Sequence, residues 1–145
     1  MDVRLIWLAL GAFAIGAEGF VISTLLPSIS ADTGVTLPQA GYLVLAYALA
    51  YAISAPVLAT LTGTAARRNV LVAAALVFAL GAVGAGLSTG YWPLLAARVL
   101  MAAMAGLYAA TAQATAVTMS EPAHRARAIA VVVGGTSLAV ALGAP

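Results

Sequence analysis

Glu18 and Arg98 are the residues of this chain whose types and placement could do chemistry. Each is the lone charge inside a long apolar run. A charged side chain at the centre of a bilayer costs at least about 3 kcal/mol, so intramembrane charges are rare and mark ion pathways, proton relays or ion pairs. One of the two is an acid and the other a base, on different runs. A poorly solvated acid holds or releases a proton according to its hydration and to the nearest cation. A carboxylate and a guanidinium at one depth are therefore the parts that a proton relay or a substrate-gating pair requires. The same residues could instead form a static ion pair locking two helices, or Arg98 could extend to the membrane interface.

Little else in the chain competes with them. There is no Cys, which excludes disulfides and thiolate metal sites, and the one His has no metal-ligating cluster around it. No Ser at membrane depth has a His or Lys partner for nucleophilic catalysis, and His124 lies in a polar connection beside Arg125. Neither an enzyme nor a cofactor is expected.

The elements that must hold these charges are membrane helices. Of 145 residues, 64% are hydrophobic and 7% charged, with a mean hydropathy of +1.11. A soluble domain keeps about a quarter of its residues charged. Lipid must cover this chain. The net charge of +2 comes from six Arg and no Lys, spread too thinly to make a nucleic-acid stripe.

A span needs about 20 apolar residues, and five candidates occur, at about 5–26, 37–61, 70–87, 92–119 and 126–145. The first is too long for the apolar region of a cleavable signal. All read as helices, because ten-residue alternation of the barrel kind is absent. The connections are short. Pro27 to Gly34 reads as a turn region. Thr36, Pro38 and Gln39 then form a helix start with a capping box. Tyr91 and Trp92 suit a membrane interface.

Arg4, Arg67, Arg68, Arg125 and Arg127 all fall at one end of the spans, while the opposite connections carry Asp32 and no basic residue. The positive-inside rule predicts a cytoplasmic N-terminus. Glu18 lies eight residues before Leu26 and Arg98 six after Trp92, roughly 12 Å and 9 Å inside the outer boundary at the helical rise. The two charges share a layer. Tyr47 and Tyr51, four residues apart, share a face of the second span and could line a cavity or simply pack. Gln113 and Thr111 lie deeper on the fourth span. Small residues at four-residue spacing (Ala102, Gly106 and Ala110; Gly135, Ala139 and Gly143) allow close helix approach. Pro56 could kink the second span. Pro145 ends the sequence inside an apolar run, which reads as a fragment of something longer.

Together these residues resemble the major facilitator superfamily, in particular its bacterial drug or sugar:proton antiporter branch. Gly16-Ala17-Glu18-Gly19-Phe20-Val21 followed by Leu25-Leu26-Pro27 is similar to the first helix of efflux members, with Gly19 between the acid and the aromatic. Leu37-Pro38-Gln39-Ala40-Gly41, Tyr47-Ala48 and Ala55-Pro56 are similar to their second helix. Gly63 and Arg67-Arg68 match part of the signature between helices two and three, without its Asp. Arg98 and Gly106 match the fourth-helix signature, with Ala102 for its first Gly. Arg125-Ala126-Arg127-Ala128 resembles the loop leading into the fifth helix, and Gly134, Gly143 and Pro145 match part of that helix's antiporter signature.

The resemblance implies an all-α integral membrane protein: five helices of the N-terminal half of a twelve-helix fold, truncated before helix six, in the bacterial inner membrane. It implies proton-coupled efflux of an antibiotic such as chloramphenicol, another drug or a sugar. Glu18, Arg98, Tyr47, Tyr51 and Gln113 would belong to the proton and substrate cavity. Gly63, Arg67, Arg68, Gly106, Gly134, Gly143 and Pro145 would belong to the conformational motifs. The implied partners are lipid, protons, a small molecule, and the missing C-terminal half or another copy of the chain. Two alternatives stand beside it: a small multidrug exporter acting as an oligomer, and a non-transporting membrane scaffold.

Overall fold

A computed structural model describes residues 3–143 of the chain. Its elements are α1 (Val3–Thr33), α2 (Leu37–Leu61), α3 (Arg67–Leu87), α4 (Tyr91–Thr118), a 3-10 turn (Pro122–His124) and α5 (Arg125–Gly143). All five α-helices are long and apolar enough to cross a membrane. No strand occurs among the described residues.

Short connections force successive helices to run antiparallel. The capping box forms as the spacing of Thr36 and Gln39 predicts: the Gln39 N–H donates to Thr36 Oγ1 and the Thr36 N–H donates to Gln39 Oε1. At the same end, the Tyr91 hydroxyl donates to the Gln39 carbonyl at 2.9 Å, tying the start of α4 to the start of α2.

The first helix corrects the expected turn at Pro27. α1 continues through that proline and ends at Thr33. A proline inside a helix removes one backbone donor, and lone prolines are tolerated in membrane helices. The hydroxyl of Thr33 donates to the Ile29 carbonyl, and that of Ser30 to the Val35 carbonyl just past the helix end. The stop is Gly34 at φ +69°, a left-handed conformation that glycine adopts without strain. The third helix starts at Arg67, ahead of the expected Val70.

α4 is the axis of the bundle. It packs extensively on α2 and α3, while α5 packs on α1. These contacts use small residues, because apolar side chains gain little by leaving lipid for one another and close van der Waals approach decides association. A Cβ on Gly106 would lie 2.7 Å from Ser54 Oγ and 2.8 Å from the Tyr51 carbonyl oxygen, so α4 touches the backbone of α2 there. A Cβ on Gly135 would fall 2.2 Å from the Ala9 carbonyl oxygen, bringing α5 onto α1. The main buried cluster joins Leu5, Leu8 and Ala12 of α1 to Val70 and Ala74 of α3, Leu107, Tyr108 and Ala112 of α4, and Ala128 and Val132 of α5. A smaller one holds Phe78, Met101 and Ala105. Outward-facing side chains such as Trp7, Leu61, Leu80 and Leu87 stay exposed, as a lipid-facing surface requires.

α1 and α3 do not pack closely on each other. Between them, over α4, three cavities follow one another along the bundle. The first is lined by Arg4, Leu8 and Arg68, the next by Gly11, Ile15 and Phe78, and the last by Glu18, Ile22 and Ala85.

Candidate functional site

Glu18 and Arg98 meet. The Arg98 guanidinium donates through Nη1 to Glu18 Oε1, an ion pair joining α1 to α4. Arg98 is 1% exposed, and its guanidinium carbon lies 4.6 Å from the centroid of the Tyr47 ring on α2. A cation over an aromatic face is held by the ring quadrupole, more strongly where water is excluded. Three helices thus converge on one buried charge. The geometry follows from the sequence: Ala102 and Gly106, next on the Arg98 face, keep α4 close to α2 and leave the long Arg98 side chain room to cross between helices.

The pair is not fully satisfied. Glu18 Oε2 and Arg98 Nε are buried without a hydrogen-bond partner among the described residues. The Glu18 side chain retains 21% exposure and borders a cavity of about 470 Å³ lined also by Ile22, Leu94, Met101 and Ser88. A second, smaller cavity of about 180 Å³ is lined by Gly16, Gly19, Tyr47, Tyr51, Tyr108 and Thr136. Glu18 thus borders the larger space, and Tyr47, which stacks on its partner Arg98, borders the smaller one. Such a pair can bind one proton at the carboxylate, which weakens its hold on the guanidinium, and can release it again.

Tyr51 is half-exposed and lines the narrower space with Tyr47. Gln113 does not join the cluster. It is exposed and sits fifteen residues beyond Arg98 on α4, roughly 22 Å along the helix axis.

The expected conformational residues are dispersed. Gly106 makes the α2–α4 contact described above. Gly63 is exposed in the connection after α2. Arg67 donates to the Ala114 carbonyl at 2.8 Å and to Thr118 Oγ1 at 2.6 Å, fastening the start of α3 to the end of α4. A cation at those carbonyls also suits the negative end of the helix dipole. Arg68 turns instead towards α1, where it lines a cavity with Arg4. Gly134 meets nothing within 4 Å of a built Cβ, and the close contact on α5 belongs to its neighbour Gly135. Gly143 is the last helical residue of α5, and Pro145 lies outside the described residues. Sequence reasoning missed Tyr108, whose hydroxyl donates to the Leu8 carbonyl at 3.3 Å. It lies against Gly11 of α1, where a Cβ would overlap that hydroxyl; no local sequence pattern marks it.

Residues 8–145 match the family model described as Major Facilitator Superfamily. The chain belongs to this superfamily. It is 36% identical over 138 residues to the MFS-type transporter YbcL of Bacillus subtilis, covering 95% of this chain and 35% of that protein. It is 37% identical to a chloramphenicol resistance protein of Streptomyces lividans, covering 100% of this chain and 37% of the relative. It is 33% identical to the inner membrane transport protein YdhP of Escherichia coli K12, again over 100% of this chain and 37% of the relative. The chain spans little more than a third of the length of these curated relatives. No solved structure matches it. With five helices of spanning length, it is a multi-pass membrane protein of a transporter family.

Proposed function

We propose that this chain is the N-terminal part of a proton-coupled efflux transporter of a bacterial inner membrane, with Glu18 as the proton-carrying group and Arg98 as its partner. The observation that carries the reading is the Glu18–Arg98 pair inside the bundle, with Glu18 at the edge of a cavity and Tyr47 against the guanidinium. In the proposed cycle, a proton from the outer side adds to Glu18 and the carboxylate releases Arg98. Loss of that proton to the other side restores the pair. Substrate and proton use this change in turn, so that entry of one drives exit of the other. Alternating access of this kind works by rocking one repeat against another around a midplane site, and the remaining length of the relatives would supply the second half. The arginine-rich ends of α1, α3 and α5 face the cytoplasm in this reading, by the positive-inside rule.

The exported compound is a small amphipathic molecule. The chloramphenicol resistance protein among the relatives and the aromatic lining from Tyr47 and Tyr51 favour an aromatic antibiotic. The test is efflux from everted membrane vesicles with an imposed proton gradient, using the transporter that contains this chain. Glu18→Gln should abolish uphill chloramphenicol transport while leaving downhill exchange measurable. Uphill transport that persists in Glu18→Gln removes the coupling role.

A further inference from the structure

We propose that the groove between α1 and α3, at its arginine end, is a binding site for an anionic phospholipid. Arg4 of α1 and Arg68 of α3 line one cavity of about 590 Å³, together with Trp7, Leu8, Leu71, Val72, Thr115 and Met119. Neither arginine makes a hydrogen bond or ion pair with another described residue, whereas the adjacent Arg67 is engaged at the end of α4. Two arginines from different helices therefore line one opening, with no acid among the described residues that line it.

The lining decides between a lipid and a free anion. Directly below the arginines the wall is Trp7, Leu8, Leu71 and Val72, and the groove continues inward to Gly11, Ile15, Ala75 and Phe78. That wall offers nothing to inorganic phosphate beyond its first contact, and it fits an acyl chain running parallel to the helices. Basic pockets between helices at the side rich in Lys and Arg bind acidic head groups, and an arginine fork matches a phosphate diester bidentately. The ligand class is a phosphatidylglycerol-type lipid, its phosphate between Arg4 and Arg68 and one chain in the groove.

Trp7 makes the site directly readable. The chain has two tryptophans, and with Trp92→Phe and any tryptophan of the rest of the transporter changed to Phe, Trp7 is the sole reporter. The protein is reconstituted in phosphatidylcholine vesicles containing either brominated phosphatidylglycerol or brominated phosphatidylcholine, and quenching of Trp7 is followed against bromolipid fraction. The expected result is half-quenching at a roughly tenfold lower fraction of phosphatidylglycerol, given the contribution of each basic residue near the membrane surface. Arg4→Gln/Arg68→Gln should bring that curve onto the phosphatidylcholine curve, and each single change should fall between. Arg125→Gln/Arg127→Gln, at the same end but on α5, should keep the preference, and millimolar inorganic phosphate should not displace it. Quenching by phosphatidylcholine, equal in all variants, reports that the fold is kept. The proposal is overturned by equal quenching from both lipids, or by a preference that survives loss of both arginines. Displacement by phosphate, or a Trp7 that no bromolipid reaches because polypeptide fills the groove, overturns it equally.

Discussion

At the scale of single residues, the Glu18–Arg98 pair combines charge complementarity with incomplete satisfaction. Removing one partner of a buried pair leaves an uncompensated charge, whereas replacing both is often tolerated. Arg98→Ala should therefore destabilise the protein by about 3 kcal/mol, the lower end of that range because Glu18 keeps some exposure. Glu18→Gln/Arg98→Gln should recover most of the loss. Thermal unfolding in detergent checks both, and a double variant as unstable as Arg98→Ala would contradict the pairing. The pair was legible because a charge in an apolar run has few reasons to be there, and because helical rise alone places both residues in one layer. Gln113 was read as deeper on the same helix, and the structure leaves it exposed and apart from the pair. Tyr108 was not legible at all: one Tyr on an apolar helix looks like any other, and its partner Gly11 lies almost a hundred positions away.

At the scale of helices, the glycines divide into those under contact and those facing open space. Gly135→Ala drives a methyl against the Ala9 carbonyl, a backbone atom that cannot rotate away, and should cost about 1–3 kcal/mol by overpacking. Gly134→Ala, one residue earlier with nothing near its Cβ, should leave the unfolding temperature unchanged or slightly raised. Gly106→Ala should resemble the first case, because Tyr51 and Ala55 present backbone atoms to it. Equal effects of all three substitutions would contradict the packing described. Small-residue spacing could reveal that α4 and α5 have smooth faces. On α5 the four-residue stripe held Gly135, whereas the family motif pointed to its neighbour Gly134, and the contact falls on the stripe. The end of α1 was harder to read. A proline followed by Ser, Ser, Asp and Thr has the composition of a turn, but a helix loses only one hydrogen bond to it and the hydroxyls here bond to backbone carbonyls. Only Gly34 stops it.

At the scale of the whole molecule, topology is measurable by single-cysteine labelling: these 145 residues hold no Cys, and any in the rest of the transporter are changed to Ser first. Single cysteines at Ala65, beside the arginines, and at Thr89, in the opposite connection, are both exposed positions. A membrane-impermeant maleimide should label Thr89→Cys in intact cells and Ala65→Cys only after permeabilisation, as a cytoplasmic N-terminus requires. The reverse pattern would turn the bundle over and with it the proposed direction of proton entry.

The bundle is fastened unevenly along its length. At the arginine end, α1 is glued to α4 by broad apolar burial through Leu5, Leu8 and Ala12, reinforced by Tyr108, and the two buried clusters reach no further along α1 than Ile15. Past that point the polar fastening between these helices is Glu18 on Arg98. Dispersion contacts respond hardly at all to pH or local potential, whereas one carboxylate responds to both. The molecule is thus a clasp with a stiff spring at one end and an ionic catch at the other, and a single proton is the smallest object that can work the catch without disturbing the spring.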